Sequence, residues 1–305
     1  TLTQDSGSCE YANLHNPEII KKMHTEYIEA GAMAIKTNTF GANTYSLECD
    51  FNKAEEIIKA GYNIANDASG GKALLFCDIG PIFCDNDSAA ALEYQRIADV
   101  FLALGGDKFL LETFPDYAQP IALAEYIKQK KPSATVFVSF AVDADGCSVS
   151  GIFAKELIGA ASACEAIDGY GFNCVCGPGH LCDIVRANPP KEKPMLVMPN
   201  SGYPSRSIHG FTYNQNYAYF AEKLCELYSM GVKVLGGCCG TTPEHIRHAA
   251  IALKDGVKKT PVKTLAKNQL SNAPKIESAF KNILKQEKKV VIVELDPPLN
   301  ADAAF

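Results

Sequence analysis

The chain has 305 residues, 47% hydrophobic and 21% charged, with a formal net charge of −6. That composition belongs to a globular protein with an ample core. The acidic balance argues against nucleic acid or an anionic membrane as a partner, and no apolar run approaches the roughly 18 residues a span needs. The opening "TLTQDSGSCEYANL" has neither the basic nor the apolar region of a secretory signal. Twelve cysteines, several of them in apolar runs such as "LLFCDIG", read as free thiols of a reducing, cytoplasmic compartment rather than as a disulfide scaffold.

Short apolar or β-branched runs alternate with helix-length segments along the chain. "NPEIIKKMHTEYIEAG" opens as a helix, with Asn16 as cap, Pro17 at the first helical position and Gly31 as stop. Strands follow at 33–40, 73–80, 108–114, 135–142, 169–175, 194–200 and 232–238. Helical spacing separates them, as in "QNYAYFAEKLCELYSMG". This alternation predicts a parallel sheet, open or closed into a barrel. Seven strands are one short of a (β/α)8 barrel, and the missing one is expected to be the first, upstream of Thr1.

Each run ends in polar or special residues: Asn38 in "TNT", Asp78, Glu112 with Thr113, Asp143, Asn173 with Cys174, Asn200, and Cys238 with Cys239. Any one of them alone reads best as a helix cap. Together, at the C-terminal ends of parallel strands, they read as a site. Past Val257 the chain turns polar, basic and Pro-containing, a linker leading to the helix-like "SAFKNILKQEKK". The sequence therefore divides into a barrel at 1–257, a linker and helix at 258–286, and the truncated start of a second domain at 287–305, where one strand, "VVIVELDPP", precedes the end.

The stretch "VLGGCCGTTPEHI" places two cysteines between glycines at a strand end. With a third thiol from another strand end they can form a three-thiolate zinc site with one position open, the arrangement of a catalytic metal. Glycines on both sides of the pair supply the backbone freedom that two neighbouring ligands need. Such a centre is a poor activator of water but keeps a substrate sulfur electron-rich, which favours alkyl transfer to sulfur over hydrolysis. From chemistry alone the third thiol is Cys174, Cys176 or Cys182. A closed structural site completed by Cys176 or His180 is the competing reading.

"GFNCVCGP", "PNSGYP" and "GGCCGTTPEHI", with "IKTNTFGAN", "CDIGP" and "LLETFPD", resemble the zinc-dependent homocysteine S-methyltransferases. The resemblance runs from about Thr1 to Leu253. It implies a (β/α)8 TIM-type barrel, zinc on Cys174, Cys238 and Cys239, and methylation of L-homocysteine to methionine with the substrate sulfur as nucleophile. Two departures stand out: the family's opening "D-G-A-M-G-T" strand is absent, and Ala144 in "VDADGCSVSG" occupies the position where many members carry a Glu for the substrate amine. Candidates for substrate contacts are therefore Asp143, Asp145, Glu112, Asp116, Asn38, Asn173 and Asn200. Methyltetrahydrofolate or methylcobalamin is the expected donor, and another thiol or a selenol the alternative acceptor. "KKVVIVELDPP" resembles the opening strand of methylenetetrahydrofolate reductases, which implies a second catalytic domain beyond this chain.

Overall fold

The computed structural model describes residues 8–203, 205–207, 210–212, 215–254 and 290–293. All seven expected strands form: β1 (Ala34–Lys36), β2 (Leu74–Ile79), β3 (Lys108–Phe114), β4 (Thr135–Phe140), β5 (Gly169–Asn173), β6 (Met195–Met198) and, after a small hairpin of β7 (Ser205–Ser207) and β8 (Gly210–Thr212), β9 (Val234–Gly237). β1 to β6 and β9 run parallel and curl into a barrel wall. β10 (Val290–Val293) lies parallel between β1 and β9 and closes the barrel. The slot left by the sequence for a strand ahead of Thr1 is thus taken by part of the segment expected to begin a second domain. The physical reason is plain: a seven-stranded wall leaves two unpaired parallel edges, and a β-branched run satisfies both. The linker and helix expected at 258–286 lie outside the described residues.

The helices are α1 (Ala12–His15), α2 (Pro17–Glu29), α3 (Thr44–Leu47), α4 (Phe51–Ser69), α5 (Asp87–Ala103), α6 (Ala118–Lys130), α7 (Ala154–Ala163), α8 (Pro178–Ala187), α9 (Tyr217–Ser229) and α10 (Pro243–Lys254). α2 begins with Pro at its first turn, but the Asn16 side chain makes no capping bond. Gly31 turns the chain at φ +106, a left-handed conformation suited to glycine. Among the described residues no helix is long and apolar enough to cross a membrane.

Strand periodicity splits the core in two. Ile35, Cys77, Phe109, Val136, Phe172 and Val197 pack outward against the helices. Ala34, Phe76, Leu110, Phe137, Leu196, Met198 and Val234 form a separate cluster that fills the barrel. Two residues further along four of these strands, on the same face, stand Lys36, Asp78, Glu112 and Ser139. An apolar plug therefore carries a polar layer at the C-terminal end of the strands. Asn173, Asn200 and Cys238 share that strand parity one step higher. The barrel geometry thus brings the polar strand ends together above a dry floor.

Candidate metal centre

Cys174 leaves β5, and Cys238 and Cys239 leave β9, two strands away with β6 between them. Their sulfurs all lie within 4.8 Å of one another, with Cys174 Sγ 3.5 Å from Cys239 Sγ. A tetrahedral metal with thiolates at about 2.3 Å requires sulfurs about 3.8 Å apart, so this donor set fits zinc with little adjustment. Cys238 is buried, while Cys174 and Cys239 are half-buried, so the cluster is approached from one side. Hydrogen bonds from Cys238 and Cys239 hold the Cys174 thiol down to about 3, with Asn200 adding to them. None of the twelve cysteines is in a disulfide.

The loop after β6 ties the ligand loops together. Asn200 N donates to Cys176 O at 3.0 Å, Ser201 N to Cys239 O at 3.0 Å, and Cys238 N to Pro199 O at 2.8 Å. On the far side Tyr27 Oη donates to Thr241 O at 2.6 Å, and Thr241 N to Cys238 O at 3.0 Å. Thr242 and His245 lock the start of α10: the His245 Nδ1 accepts from Thr242 N at 3.1 Å. The backbone strain falls where the sequence does not signal it. Cys174 (φ 61) and Val175 (φ 56) are consecutive left-handed non-glycine residues, and Thr113 (φ 63) is a third. Of the glycines around the Cys pair, Gly240 has positive φ. Gly237 matters for space, because a Cβ there would run into the Thr241 side chain.

Asn173 connects the layers. Its Oδ1 accepts from Thr113 N (2.9 Å) and Ser139 Oγ (2.6 Å), and its Nδ2 donates to Thr113 Oγ1 at 2.7 Å. The same Nδ2 lies 3.5 Å from Glu112 Oε2 and 3.8 Å from Cys238 Sγ. Glu112 is ion-paired to Lys36, whose Nζ is also 3.4 Å from Asp78 Oδ2; all three side chains are at most 3% exposed. Lys36 and Ser139 do not figure among the residues expected from the sequence, whereas Thr113 does, beside Glu112. The available signal was a lysine in register with Ala34 inside an otherwise apolar strand.

Other expected residues have other duties. Asn38 donates to Cys9 O (3.1 Å) and Asn13 Oδ1 (2.9 Å), fastening the N-terminal turn to β1. Asp143 and Asp145 are exposed, and Asp143 Oδ1 accepts two backbone amides of its own loop. Asp116 accepts from Ala118 N at 2.9 Å at the start of α6. It also lines a cavity of about 460 Å³ with Asp87, Tyr94, Tyr117 and Gln119, and none of the three cysteines lines that cavity. The Cys176 sulfur turns to Val142 O at 3.4 Å, and burial raises its thiol. Cys182 contacts Lys223 O at 3.6 Å, and burial pushes its thiol up to about 12. His180 Nδ1 pairs with Tyr203 Oη at 2.6 Å.

A model of the homocysteine S-methyltransferase family matches residues 1–253. The chain belongs to that family. It is 30% identical to a methionine synthase of Mycobacterium tuberculosis, over 98% of this chain and 26% of that protein. A second methionine synthase, of Mycobacterium leprae, matches at 30% over 81% of this chain and 22% of its own length. The chain therefore spans about a quarter of the length of these relatives. A selenocysteine Se-methyltransferase of Brassica oleracea var. italica is 27% identical, over 77% of this chain and 79% of its own. The homocysteine methyltransferase MmuM of Escherichia coli shares the fold in its oxidized form, with a TM-score of 0.63 at 21% identity over 80% of this chain and 86% of that one. Its metallated form superposes with a TM-score of 0.59 at 20% identity, over 79% and 86%. This chain brings three cysteines together and carries Lys36 at a strand end and Ala144 in the loop after β4.

Proposed function

We propose that this chain is the methyl-accepting barrel of a zinc-dependent enzyme that methylates L-homocysteine to methionine. The observation that carries the reading is the convergence of the Cys174, Cys238 and Cys239 sulfurs from two strand ends in a chain of this family. When bound there, zinc supplies the positive charge that keeps a substrate thiol deprotonated at neutral pH. The substrate sulfur then forms an S–C bond to the donor's methyl carbon while the donor's own bond to that carbon breaks and its electron pair leaves with the donor. The protein's residues position rather than donate: Asn173 braces Cys238, and Pro199 to Ser201 hold the two ligand loops at a fixed separation. An open fourth position is supported by the side chains that could have closed it, since Cys176 and His180 are engaged elsewhere.

Methyltetrahydrofolate or methylcobalamin is the proposed donor class, a second catalytic domain the proposed neighbour in the full protein, and the cytoplasm its proposed site of action. A second acceptor is favoured by one observation: the selenocysteine Se-methyltransferase matches this chain over most of both lengths. The test is methyl transfer by the zinc-loaded chain, with methionine measured by mass spectrometry. L-Homocysteine is offered against L-selenocysteine with methyltetrahydrofolate, methylcobalamin, S-methylmethionine and betaine in turn. Methionine formation that disappears in Cys238→Ser supports the reading. Preference for the selenol supports the second acceptor, and no methylated product from any donor counts against both.

A further inference from the structure

The barrel wall departs from regular strand geometry twice at one point. Leu111 of β3 pairs with Val138 of β4 and Phe114 with Phe140, so three steps along β3 face two along β4. The extra residue makes a β-bulge, a feature rare in parallel sheets that re-aims side chains next to sites. Within it Thr113 stands at φ 63, left-handed despite its β-branched side chain. Strain of this kind persists only where the surroundings hold it, and it gathers at functional sites.

The strained residue grips one side-chain amide. Thr113 N donates to Asn173 Oδ1 at 2.9 Å, and Thr113 Oγ1 accepts from Asn173 Nδ2 at 2.7 Å. Ser139 Oγ adds a second donor to Oδ1 at 2.6 Å. A backbone N–H can only donate, so the amide cannot be turned over. One hydrogen of Nδ2 then belongs to Thr113, and the other is left for two acceptors, Glu112 Oε2 at 3.5 Å and Cys238 Sγ at 3.8 Å. Glu112 is already ion-paired to Lys36, which draws its charge away from the amide. Asn173, Ser139, Glu112 and Cys238 are all buried, so bulk water does not compete for that hydrogen.

We infer that Thr113 is a positioning residue for the metal centre, directing an N–H hydrogen bond through Asn173 onto the Cys238 sulfur. This rests on the proposed zinc reading. A hydrogen bond to a thiolate draws charge off the sulfur, so a metal held by Cys238 keeps more of its positive charge for a fourth ligand. Without the Thr113 hydroxyl the amide loses its 2.7 Å tether, and its nitrogen turns to the Glu112 carboxylate, the stronger acceptor.

The test replaces zinc by Co2+ in the full chain and records the absorption spectrum. Sulfur-to-cobalt charge-transfer bands report how electron-rich the thiolates are, and d–d bands report the coordination geometry. Thr113→Val should move the charge-transfer band to lower energy with the d–d bands in place. It should also weaken zinc binding by about 10- to 100-fold, the usual cost of losing a group that orients a metal ligand. Thr113→Ser keeps the hydroxyl and should restore both. In an Asn173→Leu background Thr113→Val should add less than about a twofold loss, because its effect passes through the amide. Ser139→Ala loosens the same amide from its oxygen and should shift the band in the same direction, which serves if Thr113→Val does not fold. An unmoved charge-transfer band, a change in the d–d bands alone, or full additivity with Asn173→Leu would overturn the inference. A wild type without charge-transfer bands would overturn the zinc-thiolate reading itself, and this role of Thr113 with it.

Discussion

Replacing Lys36 by methionine removes a buried cation and leaves two carboxylates facing each other inside the barrel. The Nζ lies 3.4 Å from Asp78 Oδ2 and is bonded to Glu112, with all three side chains at most 3% exposed. At an effective dielectric of 20, the Asp78 pair alone is worth about 5 kcal/mol of gross attraction. Desolvation offsets much of that in the intact cluster. Removing one partner, by contrast, leaves uncompensated charge and costs about 3–5 kcal/mol. The assay is urea unfolding followed by circular dichroism, with the midpoint compared at an unchanged slope. Lys36→Met should lose at least 3 kcal/mol. Adding Glu112→Gln should restore more than about 1 kcal/mol, since residues in one network couple. A loss under about 1 kcal/mol, or no restoration, would mean that the ion cluster does not support the polar layer beneath the cysteines.

Acid should unfold the protein through two buried imidazoles. Burial lowers His24 to about 3, and burial with the neighbouring His248 lowers His245 to about 4, both from 6.5. The folded state therefore binds fewer protons than the unfolded chain, so this contribution is fully present above pH 6.5 and is lost as pH falls towards 4. The limiting slope is about 2.7 kcal/mol per pH unit for two protons. His24→Met should flatten that dependence in urea titrations from pH 7.5 to 4.5, and a midpoint independent of pH would refute the assignment. The same change should stabilise the protein at pH 7.5, because both ring nitrogens of His24 lack hydrogen-bond partners. Ile292→Pro interrupts the ladders of β10 with β1 and β9. Because proline removes a ladder hydrogen bond inside a sheet, it should lower the thermal midpoint by several degrees. An unchanged midpoint would instead assign 287–305 to a separate unit.

The barrel was legible because most strands are compact apolar runs and the segments between them keep helical spacing, as "KFLLETF" and the α2 segment ending at Gly31 show. Cys238 and Cys239 stood out because adjacent thiols between glycines have little other use. Cys174 could be told from Cys176 only by the family resemblance, since the two differ by two positions and strand parity alone admits either. Geometry adds that the left-handed turn at Cys174 and Val175 leaves Cys176 directed to Val142 instead. The acids were harder, because a carboxylate after a strand looks the same whether it caps a helix, braces a loop or meets a substrate. In the structure Asp116 Oδ1 accepts from Ala118 N and Asp143 Oδ1 from Asp145 N. Lys36 escaped notice because its two partners come from strands 42 and 76 residues away, a pairing that barrel closure creates and no local spacing announces.

The central claim is an open three-thiolate metal site that takes the substrate's sulfur. Zinc K-edge absorption on the zinc-loaded chain, recorded with and without L-homocysteine, counts sulfur neighbours at the metal directly. The account predicts three sulfurs and one lighter neighbour before addition, and four sulfurs after it. Four sulfurs from the start, unchanged by L-homocysteine, would contradict it and identify a closed structural zinc.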